Sequence, residues 1–193
     1  NAAQDIAVYT GATNAISDVS NGATIQDTDL NNTQTTVTNG YNARTSAASS
    51  YLSQESKNTS TRTSAWSTTV THDVSIAFSS EAHRNSYFNA GGSIYFTASR
   101  SGGASNDQNT DWTNMLSAIG TVKMNFTQVT ASSGTTTSLG MYDLTTSYQT
   151  IFEKAGSGSY STNYYKIQAQ APNASSIRFL ITFGDSHTGR GYF

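Results

Sequence analysis

Large apolar side chains are unevenly spread along this chain of 193 residues. The first 64 residues carry eleven, from Ile6 to Leu52, about one in six; beyond them the frequency exceeds one in four. Each buried apolar side chain contributes about 2 kcal/mol, while fixing each residue's backbone costs about 1–2 kcal/mol. A segment so poor in apolar groups cannot hold its own shape, so it must be partly disordered or ordered by packing on something else. The expected organisation is a polar N-terminal arm over residues 1–64, helical or extended, and a self-sufficient body over residues 65–193.

The best-patterned part of the arm is residues 27–56. Asp27 is a plausible N-cap, Leu30, Val37, Arg44 and Tyr51 recur at sevens, and Gln34, Tyr41, Ala48 and Glu55 follow them one turn on. Threonine-rich sequence is a poor helix former and Gly40 adds a further cost, so an isolated helix here is marginal. Either this is an irregular linker, or it is a helix ordered against a neighbouring subunit. The periodicity fits the second better and marks Leu30, Val37, Tyr41 and Tyr51 as candidate interface residues.

From residue 65 the period becomes two. Trp66, Val70, Val74, Ile76 and Phe78 share one face, with Thr69, Thr71, Asp73 and Ser75 on the other. The same alternation runs through Ile94, Phe96 and Ala98; Val122, Met124 and Phe126; Tyr165, Ile167 and Ala169; and Ile177, Phe179, Ile181 and Phe183. The run LGMYDL, residues 139–144, suggests a sixth strand. Repeated polar-out alternation predicts a mainly β fold, an antiparallel β-sandwich or jelly-roll-like body. Trp66, Phe88, Phe96, Trp112, Phe126, Phe179 and Phe183 are its expected core.

Two short helices interrupt the strands. NTDWTNMLSAIG places Trp112, Met115, Leu116 and Ile119 on one face, with Asn109 or Thr110 as cap and Gly120 as stop. SSEAHRNSYFNAGG predicts a turn or two of helix from Ser80 to near Asn89, after which Gly91 and Gly92 turn the chain into the Ile94 strand. These glycines follow a helix and lead into a strand, the reverse of a phosphate-binding loop.

Composition excludes several partners. Charged residues make up 11% of the chain and the net charge is −2, so no basic field exists to hold nucleic acid or an acidic membrane. Serine and threonine supply close to a third of the residues, and the surface is expected to be polar but neutral. The chain has no cysteine, which removes disulfides and thiolate chemistry. No apolar run is long enough to insert in a membrane. Asn1 in place of Met is expected of a processed or partial polypeptide.

No cofactor or metal is expected. His72 occupies the apolar register of its strand, Glu81 and His83 diverge on a helix, and no zinc spacing occurs. Asp27, Asp29 and Asn31 begin like a calcium loop, but Asn32 and Thr38 stand where Gly and Glu are required. The four N-x-S/T sequons at Asn31, Asn58, Asn125 and Asn173 are no more than such a composition yields by chance. FLITFGDSHTG sets Asp185, Ser186 and His187 after a strand and looks like the nucleophile block of GDSL-type esterases. Consecutive triad members splay apart, however, so an esterase dependent on Ser186 is the remote expectation and a non-enzymatic protein the leading one.

The stretches STRTSAW, SEAHRNSYFNAGGSIYFTASRSGG, DWTNMLSAIGTVKMNFTQ and YSTNYYKIQAQ, in this order over residues 60–185, together resemble a virion structural protein recurrent in tailed marine phages, especially contractile-tailed cyanophages. GATIQDTDLN is similar to the polar lead-in of that family. The resemblance implies a tail, baseplate or fibre component in the virion, present in multiple copies and contacting copies of itself and other virion proteins. It transfers no catalytic residue. The alternative expectation is an adhesin module that binds a host-surface glycan, with Tyr87, Tyr95, Tyr142, Tyr160, Tyr164 and Tyr165 presenting ring faces to sugars.

Overall fold

The computed structural model describes residues 23–43, 59–64, 66 and 68–186. The chain divides into two compact units, Asn1–Glu55 with Ala82–Gly92 and Ser56–Glu81 with Ser93–Phe193. In this division Ala82–Gly92, which follows the first strand, groups with the N-terminal unit.

In the first unit, helix α1 spans Asp27–Ala43. It begins one residue earlier than expected, because the Asp29 carboxylate reaches back to accept from the Gln26 backbone N–H at 2.8 Å. Asp27 is thus the first helical residue and not the cap. The part of the heptad pattern beyond Ala43, with Tyr51, lies outside the described residues. Helix α2, Glu81–Asn89, ends as its two glycines dictate. Gly91 takes a φ of +91°, its N–H donates to Phe88 O at 2.9 Å and that of Gly92 to Tyr87 O at 2.9 Å. This pair of bonds is a Schellman closure, and the double glycine is a structural corner.

The second unit is mainly β. Strands β1 (Thr69–Ala77), β5 (Thr135–Thr136), β6 (Gln149–Ala155), β7 (Tyr164–Asn173) and β8 (Ser176–Gly184) form an antiparallel sheet in the order β1-β8-β7-β6-β5. Strands β2 (Ile94–Thr97), β3 (Thr121–Met124) and β4 (Val129–Thr130) form a second, antiparallel sheet in that order. Helix α3, Asp107–Ile119, stands between β2 and β3 in the chain.

Period-two patterning places the core. The cross-strand pairs Val70↔Phe183, Val74↔Phe179 and Ile76↔Ile177, then Tyr165↔Phe183, Ile167↔Ile181 and Ala169↔Phe179, line one face of the large sheet. Phe179 meets Phe96 of the small sheet edge-on, with ring centroids 4.9 Å apart. A chain of ring contacts runs from Trp66 through Trp112 and Phe183 to Tyr165 and Phe152, tying α3 to β6, β7 and β8. Helix α3 buries Trp112, Met115, Leu116 and Ile119 as its spacing predicts. Its cap is Asn106, whose side chain accepts from Asn109 N, so the helix starts a turn before the expected Asn109 or Thr110; Gly120 closes it at φ +63°.

Three expectations are corrected. Phe126 is 39% exposed. Asn125 Oδ1 accepts from the N–H groups of Thr127 and Gln128, both at 2.8 Å, and this turn ends β3 at Met124 before the alternation reaches residue 126. Residues Met141–Asp143 form a 3₁₀ turn where a sixth strand was expected, with Asp143 Oδ2 accepting from Gly140 N at 2.8 Å. Phe88 is buried, yet it belongs to the first unit and not to the β body.

Phe179 has no exposed surface, so Phe179→Ala is expected to cost about 3–5 kcal/mol through transfer and cavity effects. Phe126→Ala, at the turn, is expected to stay within about 1 kcal/mol. Urea denaturation of the two variants checks the order.

Candidate functional site

Two features can bear function: a ring of polar contacts at one end of the β unit, and the apolar side chains that face solvent.

The ring holds the GDS sequence. Gln108 and Asp111 lie one turn apart on α3 and are both buried. Gln108 Nε2 donates to Asp185 Oδ1 at 2.9 Å. The Ser186 N–H donates to Asn163 Oδ1 at 3.0 Å, and Gly156 N to Asn163 O at 2.8 Å. Asp111 Oδ1 accepts from both the N–H and the hydroxyl of Ser157, the former at 3.0 Å. A side chain at Gly156 would collide with Asp111 Oδ2, so glycine lets the turn after β6 press against the helix. Helix, turn and strand end are thereby laced together. Asp185 is committed to Gln108 and, through its N–H, to Thr68 O at 2.7 Å. Ser186 is exposed, and His187 lies outside the described residues. This arrangement clamps the end of β8.

Other chemical candidates are placed as follows. Asp27, Asp29 and Asn31 fall in the first turn of α1 and not in a loop, with Asp29 used to cap. His72 sits opposite Ile181 on the core-facing register of β1. Among the described residues no group of three or more His, Asp or Glu is placed to hold a metal ion, and no helix is long and apolar enough to cross a membrane. The sequons at Asn125 and Asn173 are turn residues: Asn173 Oδ1 accepts from Ser175 N at 3.0 Å and Ser176 Oγ at 2.9 Å.

The tyrosines do not share one environment. Tyr165 is 2% exposed against Phe152 and Phe183, and burial pushes its phenol well above the usual range. It is a core residue, which corrects its assignment as a sugar contact. The Tyr164 ring covers Gly184, where a Cβ would strike it, and Lys166 Nζ lies 4.8 Å from the ring centroid. Tyr87 and Tyr160 are half-buried, Tyr87 packing edge-on against Phe88. Tyr95 and Tyr142 remain open, at 61% and 51% exposure, with Lys123 Nζ 5.7 Å from the Tyr95 centroid.

Helix α1 turns its larger apolar side chains to solvent. It exposes Leu30 at 62%, Val37 at 43% and Tyr41 at 62%, while Thr36 is fully buried. At 3.6 residues per turn, Leu30, Gln34, Val37 and Tyr41 fall within an arc of roughly 60°. Single exposed apolar residues are ordinary; here three of them lie along one helix face.

On the outer face of the large sheet, Arg178 of β8 forks onto Asp73 of β1, Nε donating to Oδ1 at 2.8 Å and Nη2 to Oδ2 at 2.6 Å. Sequence reading missed this pair; the two residues are 105 apart, and only the β1–β8 register joins them. The hydrogen bond from Arg178, with its charge, holds the Asp73 carboxyl below the usual carboxylate range.

Two outcomes follow. Gln108→Ala leaves Asp185 without its amide donor and is expected to cost about 1–3 kcal/mol, whereas Ser186→Ala is expected to stay within about 0.5 kcal/mol, both read by chemical denaturation. Because Asp73 is depressed in the folded chain, its contribution is present above its unfolded value and is lost as pH falls through the lowered one. Carboxyl NMR titration of Arg178→Ala is expected to move the Asp73 midpoint up.

No protein-family model matches this chain, and no curated protein and no solved structure matches it.

Proposed function

We propose that this is a non-enzymatic structural protein that assembles in multiple copies, and that its place is the tail, baseplate or fibre of a phage particle. One observation carries the assembly reading: the seven-residue spacing of Leu30 and Val37, extended by Tyr41, stands on the solvent side of α1. A seven-residue apolar repeat is a seam for another helix, and the matching helix is that of a second copy. The neutral serine- and threonine-rich surface supports the particle setting, because its contacts are little screened by salt. The particle itself is inferred from the likeness of residues 60–185 to the tailed-phage virion protein.

A glycan-binding role is the second reading, favoured by the open rings of Tyr95 and Tyr142. Their exposure suits stacking on a sugar face, and it is compatible with assembly. The Ser186 hydrolase remains the remote alternative; it requires turnover of a simple ester that Ser186→Ala abolishes.

Sedimentation velocity over a dilution series tests the leading reading. The full chain is expected to associate. Leu30→Glu with Val37→Glu is expected to lower its mass without changing its circular dichroism, since both side chains are exposed. A full chain that stays monomeric at every concentration, or a double variant that associates as before, would overturn it.

A further inference from the structure

Among the described residues, no further strand pairs with the β1 edge of the large sheet. Natural sheets blunt their edges with short strands, lysine, proline or bulges. Here the other edge strands are two to four residues long, β5, β2 and β4, whereas β1 runs nine residues without proline, lysine or a register shift. Phe78 N donates to Ser175 O at 2.8 Å and Asp185 N to Thr68 O at 2.7 Å. These bonds fix the phase of the β1–β8 ladder. Even-numbered residues of β1 turn their N–H and C=O groups to β8, and Thr69, Thr71, Asp73, Ser75 and Ala77 turn theirs outward. Among the described residues, no backbone group bonds those five. Their side chains are exposed on the outer face, while Val70, His72, Val74 and Ile76 on the core-facing side are only half-buried.

The strand complements itself in one register. Two β1 strands paired antiparallel about Val74 set Val74 against Val74 and His72 against Ile76, covering the half-buried side chains. The same register places Asp73 opposite Ser75 of the other copy. Behind that Ser75 stands Arg178, its cross-strand neighbour on β8. Across the seam the charges then run Arg178, Asp73, Asp73, Arg178, the two carboxylates set diagonally and each held by the arginine of its own chain. Pairing about Asp73 instead would stack two carboxylates face to face, which disfavours that register.

We infer that β1 is the docking edge for a second copy of this chain, the two β1 strands joining antiparallel about Val74 to make one continuous sheet. This contact is independent of the α1 stripe, so its failure and the failure of the helix contact are separable.

The experiment uses the full chain carrying Leu30→Glu and Val37→Glu, which removes the helix contact. The chain has no cysteine, so engineered thiols report alone. Residues 71 and 77 face each other across the seam in the Val74-centred register, where Cα atoms are about 5.5 Å apart and suit a disulfide. Within one chain they lie about 20 Å apart and cannot join. Thr71→Cys with Ala77→Cys is expected to give covalent dimer on mild oxidation. Thr71→Cys with Ser75→Cys, matched to the Asp73-centred register, is expected to give little. Ser75→Pro removes an outward N–H and no β8 bond; it is expected to weaken association by roughly tenfold or more. Equal cross-linking by both thiol pairs, or none by the first, overturns the inference. So does a folded Ser75→Pro chain that dimerises as before; should that variant fail to fold, the cross-linking result decides.

Discussion

The inward face of β8 carries the contacts on which the β unit depends. Its odd residues reach three partners: Phe179 meets Phe96 of the small sheet, Phe183 meets Trp112 of α3, and both lie beside β7 side chains in register. The strand is paired on both sides, by β1 and by β7. In the sheet order β1-β8-β7-β6-β5 it joins the edge strand β1 to the central strand β7. The polar ring at its C-terminal end has a mechanical meaning in this light, because Gln108, Asn163 and the Thr68 carbonyl hold residues 185 and 186 where the strand would otherwise fray.

Much of this was legible in the residues, and the failures have physical causes. Strands β1, β7 and β8 alternate cleanly and were found by period alone. Strand β6 was not, because a register shift between Thr150 and Phe152 buries Ile151 and Phe152 side by side. A bulge erases the very period by which a strand is recognised. Phe126 was misplaced for the opposite reason: the alternation continues in sequence through Asn125, but that side chain captures two backbone N–H groups and bends the chain away. The caps of α1 and α3 were displaced because Asp29 and Asn106 compete with the neighbouring polar residues, and only geometry selects among them.

The site was less legible than the fold. Sequence spacing identified Leu30, Val37 and Tyr41 as one stripe, and their exposure agrees with a stripe that faces outward. It could not separate Tyr165, a core ring, from Tyr95, an open one. Both stand in alternating strands rich in polar neighbours, and which side is covered depends on which sheet lies opposite. The Asp73–Arg178 fork and the bare edge beside it were invisible for a related reason. An edge is defined by which strand is missing, and strand order is a property of topology rather than of local pattern.

The two proposed contacts differ in what they build. A β1 edge related by a two-fold is isologous and self-limiting, since pairing consumes the edge on both copies and stops at two. A helix seam of a seven-residue repeat has no such limit on copy number, which is set by the side chains at its core positions. A chain that owns both can join pairs through sheets and gather them through helices, and only the combination produces more than a dimer or a bundle. That is the valence the proposed assembly requires.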